Sequence, residues 1–395
     1  MAHDAAEEGP QRAAIDKDCR REDVVRVFLI AGESSGDLHG ANVIRALRAA
    51  CPEIVCEGLG GQRMAEAGMA LRYDLAREAV MGFTEVVRAF PGIRRLFLDT
   101  VRHISACRPD VVVLIDYPGF NIRMGEKVKE LGIPVVYYIS PQVWAWKQKR
   151  IHTIARFVSR MLVILPFEEE LYRQIGVPCA YVGHPLLDHI ASRRANDDTD
   201  GRLVIGLLPG SREQEIRRLM PTMIETAEGI RQRYPDARFL TPCVDTVREA
   251  QVRALADRFP VETLVGRTYD VLAAARFCLV ASGTATLETA LFGVPMAILY
   301  RTSPINYWIA RRVVSIKHIG IVNIIAGREV VPEFIQHEAR AEAILPRALE
   351  LIDDTPARQR VLADLAEVKA RLGDAGASMR AARHVLEVAK GAAYG

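Results

Sequence analysis

The chain has 395 residues, of which 50% are apolar and 26% are charged. This length exceeds what one hydrophobic core usually organises, so two domains are expected. A net charge of +3 is far from the basic balance of a nucleic-acid binder, and no apolar run reaches the roughly 18 to 20 residues that span a bilayer. These properties exclude a nucleic-acid-binding chain and a membrane-spanning one.

The N-terminal residues 1–22 are charged and lack the apolar core of a signal peptide, which predicts a disordered tail and no secretion. None of the seven cysteines forms a C-x-x-C pair with another. Cysteines in this pattern are typical of small buried side chains in a reducing compartment.

Short segments rich in β-branched residues alternate with amphipathic segments along most of the chain. Residues 23–190 contain the strand candidates VVRVFLIAG, EIVCEGLGG, DVVVLIDYPGF, PVVYYIS, RMLVILP and PCAYVGH. A polar break at 191–202 is predicted to link them to a second domain at 203–336, with strands in LVIGLLPGSR, ARFLTPCV, VETLVG, FCLVASG and PMAILYR. We expect residues 337–395 to form helices that pack on the first domain or on a partner subunit. The alternation predicts an α/β fold with two parallel sheets, each covered by helices, and ligands in the cleft between the carboxyl ends of their strands.

The first strand leads into a glycine-rich turn, VFLIAGESSGDLHGAN, and then into a predicted helix. This order of elements builds phosphate sites, because backbone N–H groups converge where the helix begins. Here the glycines are spaced by fours and fit neither common nucleotide fingerprint, and the carboxylates of Glu33 and Asp37 would repel a diphosphate. Asp37 is predicted to be the N-cap of the helix. We therefore expect something other than a nucleotide tail at this turn.

The segment MGFTEVVRAFPGIRRLFL places apolar side chains at helical spacing, with arginines after a Pro-Gly break. That combination suits docking on an anionic membrane surface through Phe83, Val86, Val87 and Phe90. An ordinary core-facing helix explains the same pattern equally well.

Asp116 follows a strand that is otherwise wholly apolar, in VLIDYPGFN. It is therefore predicted at the carboxyl edge of the first sheet, facing the cleft. A partly desolvated carboxylate is a candidate general base, because burial raises its pKa toward the working range. The alternative is a structural Asp that caps the following turn or helix.

Phosphate chemistry is indicated in LLPGSREQEI, where Gly210, Ser211 and Arg212 lie between a strand and a helix. A guanidinium can bind a diphosphate through two parallel hydrogen bonds, and the start of the helix adds N–H donors. A glycine turn with a solvated Arg is the alternative.

A second turn of this kind occurs in ASGTATLETALFG, where Ser282, Gly283 and Thr284 follow a strand and begin a helix. Glu288 falls one turn later on the same helix face and can accept hydrogen bonds from two ribose hydroxyls; a surface Glu is the alternative. Further along, IVNIIAGREVVPEFIQ offers Asn323 and Arg328 among apolar residues, which is the composition of a site wall.

Eight segments occur in one order along nearly the whole chain: AGESSGD, IDYPGFN, SPQVWAWKQKR, LPFE, VGHPL, LLPGSR, SGTATLE and AGRE. In this order they resemble the lipid-A-disaccharide synthase family of inverting glycosyltransferases. The resemblance implies the GT-B architecture, in which two Rossmann-like domains face each other across a cleft. It implies transfer of 2,3-diacylglucosamine from its UDP derivative to 2,3-diacylglucosamine 1-phosphate (lipid X), through a β-1,6 bond and with release of UDP. It also implies work at the cytoplasmic face of the inner membrane, a homodimer, and no metal or other cofactor.

Residue by residue, the resemblance implies that Asp116 deprotonates the acceptor hydroxyl and that the second domain holds UDP. The nucleotide-binding residues would be Gly210, Ser211, Arg212, Ser282, Gly283, Thr284, Glu288, Asn323 and Arg328. With UDP assigned there, the first glycine turn no longer has to hold phosphate. Some relatives carry Asp where this chain has Gly119, which favours Asp116 acting alone. We expect the acceptor sugar to face Glu33, Ser35, Gly36 and Asn121.

Two functions of other classes stay open at this point. A UDP-sugar epimerase or hydrolase would share the fold and the donor site, but it needs no acyl surface. A non-catalytic two-domain ligand-binding protein would also offer a cleft between α/β lobes. Such proteins are usually exported, so the missing signal sequence counts against this alternative.

Overall fold

The computed structural model describes residues 24–78, 83–142, 149–191, 201–304, 307–308, 312 and 317–393. Within these ranges the side chains of 77–78, 83–91, 149, 189, 191 and 392–393 are outside the description. None of the described helices combines the length and the apolar character that crossing a bilayer requires. Residues 192–200 of the polar break are not described, so the bounds of the interdomain linker stay a prediction.

Two parallel sheets organise the chain, as the alternating sequence pattern predicts. The first contains seven strands in the order β3-β2-β1-β4-β5-β6-β7, and the second contains six in the order β10-β9-β8-β11-β12-β13. The strand order reverses between β1 and β4 in the first sheet and between β8 and β11 in the second. At such a switch point the connections leave to opposite faces and open a crevice at the carboxyl ends of the strands.

The first sheet is buried on both faces, because alternate residues of β1 and β4 belong to different apolar clusters. Its strands are β1 (Arg26–Ala31), β2 (Val55–Gly60), β3 (Ala70–Asp74), β4 (Val111–Ile115), β5 (Val135–Tyr138), β6 (Arg160–Val163) and β7 (Cys179–Tyr181). The helices of this part are α1 (Ser34–Ala50), α2 (Gln62–Glu66), α3 (Leu75–Glu78), α4 (Phe83–Cys107), α5 (Pro118–Glu130), α6 (Lys149–Phe157), α7 (Pro166–Arg173) and α8 (Pro185–Ala191).

The second sheet repeats this plan around its own core. Its strands are β8 (Val204–Leu208), β9 (Arg238–Cys243), β10 (Val261–Val265), β11 (Phe277–Ala281), β12 (Met296–Tyr300) and β13 (Glu333–Ile335). Its helices are α9 (Glu213–Arg233), α10 (Thr246–Ala256), α11 (Thr268–Ala274), α12 (Thr284–Leu291) and α13 (Ile321–Ala326), and a 3-10 turn spans Gln336–Glu338.

The C-terminal segment is helical, which confirms the sequence prediction. It forms α14 (Ala341–Ile352), α15 (Pro356–Arg371) and α16 (Ala377–Ala393). The first two pack in the core of the second sheet, whereas α16 crosses over and buries alanines against α1 and the first sheet. Asp188 of α8 fixes this crossing, because its carboxylate accepts the backbone N–H groups of Ala377 at 3.2 Å and Ser378 at 3.1 Å.

Candidate active site

Asp116 and Glu33 meet at the switch point of the first sheet. Ala31 at the end of β1 pairs in register with Ile115 at the end of β4. Asp116 directly follows β4 and Glu33 follows β1 by two residues, so their loops leave the sheet side by side. The structure therefore brings the predicted base and one of the predicted sugar-facing residues to the same point of the carboxyl edge.

The backbone at Asp116 is strained and firmly held. Asp116 and Tyr117 have φ values of 44° and 48°, in the left-handed region that non-glycine residues rarely adopt. The Asp116 N–H donates to the carbonyl of Tyr138 at 3.0 Å, and its own carbonyl accepts the Tyr137 hydroxyl at 2.7 Å. The side-chain amide of Asn121 donates to the same carbonyl at 2.8 Å. These bonds hold the backbone that carries the carboxylate.

Burial raises the pKa of Asp116 to about 6, and the negative charge of Glu33 adds to this rise. A hydrogen bond from the backbone N–H of Tyr117 opposes it. Asp116 does not cap the following helix, because α5 has Tyr117 as its N-cap and no side-chain capping bond. The carboxylate is therefore not a helix cap, and its raised pKa suits the general base that the sequence predicts.

The second switch point holds the first predicted phosphate turn. Gly210 has a φ of 104°, and a Cβ there would lie 2.3 Å from the carboxylate of Glu215, so the turn requires glycine. Ser211 and Arg212 follow in exposed positions, and Arg212 is the N-cap residue of α9. Its guanidinium, 80% exposed, contacts Glu215 at 3.2 Å. Such an exposed pair is weak, so a diphosphate can replace the carboxylate as the partner of Arg212.

The second phosphate turn lies beside the first, because β8 and β11 are neighbouring strands. Gly283 is the N-cap of α12, and this helix begins at the exposed Thr284. One turn later Glu288 accepts the hydroxyl of Tyr269 at 3.0 Å. Burial raises the pKa of Glu288, and the Tyr269 hydrogen bond opposes this rise. Two helix starts and an arginine thus lie at neighbouring strand ends, with the half-buried Glu288 one turn into α12, an arrangement that suits a nucleoside diphosphate with its ribose.

Comparison with known proteins identifies the family. Residues 27–384 match the family described as lipid-A-disaccharide synthetase. The lipid-A-disaccharide synthase of Geobacter sulfurreducens is 41% identical over 372 residues, which cover 92% of this chain and 97% of the relative. The enzyme of Syntrophus aciditrophicus is 42% identical over 374 residues, covering 92% and 98%. The chain belongs to the lipid-A-disaccharide synthase family. It is therefore a glycosyltransferase, as its ordered motifs indicate.

Solved structures confirm that this synthase has the predicted GT-B fold. A Staphylococcus aureus MnaA–UDP co-structure has a TM-score of 0.64 at 14% identity, over 91% of this chain and 96% of that one. MurG of Acinetobacter baumannii has a TM-score of 0.57 at 13% identity, over 92% and 99%. At these identities the likeness concerns the fold alone. Since UDP-N-acetylglucosamine 2-epimerases are also among the similar structures, only the family membership separates this synthase from the epimerase alternative.

Asn121 of the synthase lies beneath the site rather than in its wall, which corrects the sequence prediction. It is fully buried, and its amide nitrogen points to the carbonyls of Ile115 at 3.2 Å and Asp116 at 2.8 Å. The carbonyl of Ile30 lies 3.4 Å away on the other strand of the switch point. Asn121 therefore positions Asp116 by joining the ends of β1 and β4.

The first glycine turn is only partly a wall of the cleft. Glu33 and Ser35 are exposed, as a sugar contact requires. Gly36 is buried instead, and a Cβ there would lie 3.4 Å from that of Ala31. That is an ordinary contact distance, and it is the burial of Gly36 that corrects the expectation that this residue faces the sugar.

Asp37 is not the N-cap of its own helix, contrary to the sequence prediction. The helix α1 begins at Ser34 with Glu33 in the N-cap position. Asp37 is buried one turn inside it and caps the neighbouring helix α2 instead. Its carboxylate accepts the backbone N–H groups of Gly61 at 2.9 Å, Arg63 at 3.2 Å and Met64 at 3.0 Å.

Asn323 is a structural clamp in the second domain. It is fully buried, and its amide donates to the carbonyl of Val331 at 2.8 Å and to Glu333 at 2.8 Å. Its oxygen accepts the N–H groups of Val330 at 2.8 Å and Val331 at 3.1 Å. These four bonds use the whole hydrogen-bonding capacity of the side chain. A direct bond from Asn323 to the nucleotide is therefore not favoured by this structure.

Glu333, which the sequence pattern did not indicate, connects Asn323 to the second phosphate turn through hydrogen bonds. It accepts the N–H groups of Ile319 and Gly320, both at 2.9 Å. The hydroxyl of Ser282 in turn donates to the carbonyl of Ile319 at 3.0 Å. Tyr269 was also missed, because it lies in another helix than its partner Glu288. Neither residue is part of a glycine turn or follows an apolar strand, so the sequence gives no signal for them.

Arg328 is occupied elsewhere. Its guanidinium contacts Asp364 at 2.9 Å and Glu367 at 2.8 Å on α15. Arg328 also lies just beyond the C-terminal end of α13, whereas Ser282 lies near the N-terminal end of this helix. The six residues of α13 separate the two ends by about 9 Å. Nucleotide binding by Arg328 stays a prediction that this arrangement does not favour.

The predicted membrane-docking residues lie in the first turns of α4, but their side chains are outside the described residues. These are Phe83, Val86, Val87 and Phe90. Gly119 is exposed, and a Cβ there would meet nothing within 4 Å. A larger side chain at this position would thus have space.

Proposed function

We propose that this synthase condenses UDP-2,3-diacylglucosamine with 2,3-diacylglucosamine 1-phosphate, forming the β-1,6-linked disaccharide 1-phosphate and UDP. The observation that carries the proposal is the position of Asp116, a carboxylate with a pKa of about 6 at the switch point of the first sheet. A crevice suited to UDP lies at the switch point of the second sheet. The family membership supplies the class of both substrates.

In the proposed reaction Asp116 takes the proton of the acceptor 6-hydroxyl as that oxygen attacks the anomeric carbon of the donor. The bond from this carbon to the diphosphate oxygen breaks on the opposite face, which inverts the configuration. Arg212 and the starts of α9 and α12 stabilise the charge that develops on UDP. Glu288 accepts hydrogen bonds from the ribose hydroxyls, with Tyr269 holding the carboxylate in place.

Two further partners are proposed, a lipid surface and a second copy of the chain. An acylated acceptor requires access from a lipid surface, and the apolar spacing at the start of α4 provides a candidate contact with the cytoplasmic face of the inner membrane. A homodimer stays a prediction from the family resemblance.

UDP formation is expected to depend on the acceptor. Purified protein given the acylated donor alone should release UDP only at a background rate, and addition of 2,3-diacylglucosamine 1-phosphate in detergent micelles should start turnover with one disaccharide formed per UDP. A coupled UDP assay and mass spectrometry measure both products. UDP release at an equal rate without acceptor would favour a hydrolase, and a 2-epimerised donor would favour an epimerase.

The pH dependence follows from the raised pKa of Asp116. The base acts when deprotonated, so kcat/KM should fall about tenfold per pH unit below a midpoint near 6. Glu33→Gln removes a negative charge that raises this pKa, so the midpoint should move to lower pH. Glu53→Gln, at an exposed position beyond the other end of α1, is the matched control and should leave the midpoint in place. An unchanged midpoint in Glu33→Gln would contradict the assignment.

A further inference from the structure

A cluster of three metal-ligating side chains lies on the far side of the first sheet from α1. Glu57 projects from β2, and His103 and Cys107 lie four residues apart on α4, so both face the strand from consecutive turns. The ring of His103 packs against Phe28 of β1, with ring centroids 5.9 Å apart. The two elements that carry the cluster are thus in direct contact.

The three side chains converge closely. His103 Nε2 lies 3.0 Å from Glu57 Oε2, and the ligand atoms of all three residues lie within 4.8 Å of one another. Tetrahedral zinc, with bonds of about 2.0 to 2.3 Å, holds its ligand atoms roughly 3.3 to 3.7 Å apart. An ion can therefore enter after shifts of about 1 Å or less in rotatable side chains.

We propose that Glu57, His103 and Cys107 form a binding site for a borderline-soft divalent ion of the zinc class. The three donor atoms are a carboxylate oxygen, an imidazole nitrogen and a thiolate sulfur. Among the common divalent ions, zinc is the one that prefers such a set. On binding, the ion takes the place of the Sγ proton, which goes to solvent, and the neutral imidazole that ligates through Nε2 carries its proton on Nδ1.

The electrostatics of the cluster suit a cation. Glu57 supplies a carboxylate, the one ligand of the three with a full negative charge to offer a cation, and it lies 3.0 Å from His103. The side chains of Glu57 and His103 are 16% and 15% exposed, which limits screening by water. The guanidinium of Arg72 lies 3.6 Å from the same carboxylate. It is half-exposed and can turn toward solvent when an ion takes its place.

The cluster borders a cavity through His103. His103 lines a cavity of about 410 Å³ whose wall also contains Phe28, Leu59, Arg72 and Thr100. A cavity of this size admits water, so the site would hold three protein ligands and one water molecule.

This site is separate from sugar transfer. The strand register places Glu57 beside Phe28 and Phe28 beside Val112, four residues before Asp116. Glu57 and Asp116 are therefore about 16 Å apart, because two strand spacings across the sheet and four residues along the strand separate them. A bound ion would tie α4 to β2 and so fix the helix whose first turns carry the predicted membrane contact. It would not take part in the chemistry at Asp116.

The test uses Co²⁺ as a spectroscopic probe on the full-length chain after chelator treatment. We expect one equivalent of Co²⁺ to produce thiolate-to-cobalt charge-transfer absorption, and Zn²⁺ to displace it. Cys107→Ser should abolish this absorption, whereas Cys179→Ser, a matched change at a half-buried thiol on β7, should retain it. Absence of the absorption in the wild-type chain, or its retention in Cys107→Ser, would overturn the proposal.

Glu57→Gln provides a second variant that preserves the shape of the cluster. The amide oxygen still accepts a hydrogen bond from His103, so the fold is kept, but the charge that holds the ion is lost. We expect its Co²⁺ affinity to fall about tenfold or more, and the increase in Tm that Zn²⁺ causes in the wild-type chain to shrink accordingly. Equal affinity and an equal Tm increase in Glu57→Gln would overturn the ligand assignment.

Discussion

Asp116→Asn is expected to lower kcat by about 10²- to 10⁴-fold and to leave the affinity for UDP unchanged. The amide cannot take the proton of the acceptor hydroxyl, whereas the UDP crevice belongs to the other sheet. The substitution is nearly isosteric, and the bonds that hold this position are made by the backbone N–H and carbonyl of Asp116, so the strained turn should persist. Steady-state UDP release with saturating acceptor gives kcat, and titration calorimetry gives the dissociation constant of UDP.

Asp236→Asn is the matched control, because this residue lies in an exposed turn between α9 and β9. Its kcat and UDP affinity should equal those of the wild type. Turnover retained in Asp116→Asn would move the base elsewhere, and Glu33 at the neighbouring strand end is then the next candidate. A parallel loss of UDP binding would instead show that the substitution disturbed the fold.

The fold could be predicted to the level of sheet type and architecture, because central strands of a parallel sheet are continuous apolar runs. The strands missed in the sequence are β3 and β13, and both lie at sheet edges. The β3 segment Ala70–Asp74 is mostly exposed, and β13 has only three residues, so neither carries the apolar signal. Edge strands receive their conformation from a single neighbour, which a local pattern cannot reveal.

The position of a candidate site residue could be predicted where that residue directly follows a strand. Asp116 and the two phosphate turns are of this kind, since parallel strands bring their carboxyl ends together. Polar residues a few positions further on were misassigned, because a buried clamp and a ligand contact look the same in sequence. Asn121 and Asp37 were read as a sugar contact and a local cap, and both bind backbone groups of other segments.

The ligand cluster of Glu57, His103 and Cys107 could not be predicted for a related reason. His103 and Cys107 have helical spacing, but Glu57 precedes His103 by 46 residues. Only the packing of α4 on β2 brings them together. A motif search in a single sequence does not reveal such long-range contacts between helices and strands.

Asn323→Ala is expected to lower the free energy of unfolding of the second domain by about 3 to 5 kcal/mol. The change leaves the N–H groups of Val330 and Val331 and the carbonyl of Val331 without their partner, and each buried unsatisfied group costs about 1 to 3 kcal/mol. It also frees Glu333, which holds the loop that bonds Ser282. The midpoint of urea denaturation measures the loss in the free energy of unfolding. Titration of the folded protein with UDP measures the effect on the turn at Ser282.

Arg328→Ala provides the comparison that distinguishes a structural role of Asn323 from direct nucleotide binding. The ion pairs of Arg328 are exposed, so its loss should cost less than about 1 kcal/mol and should leave UDP affinity unchanged. If both residues instead bound the nucleotide directly, both substitutions would weaken UDP binding while the free energy of unfolding without ligand stayed near the wild-type value. The clamp predicts the opposite order: a large stability loss confined to Asn323→Ala, with any change in UDP affinity following from the displaced Ser282 turn.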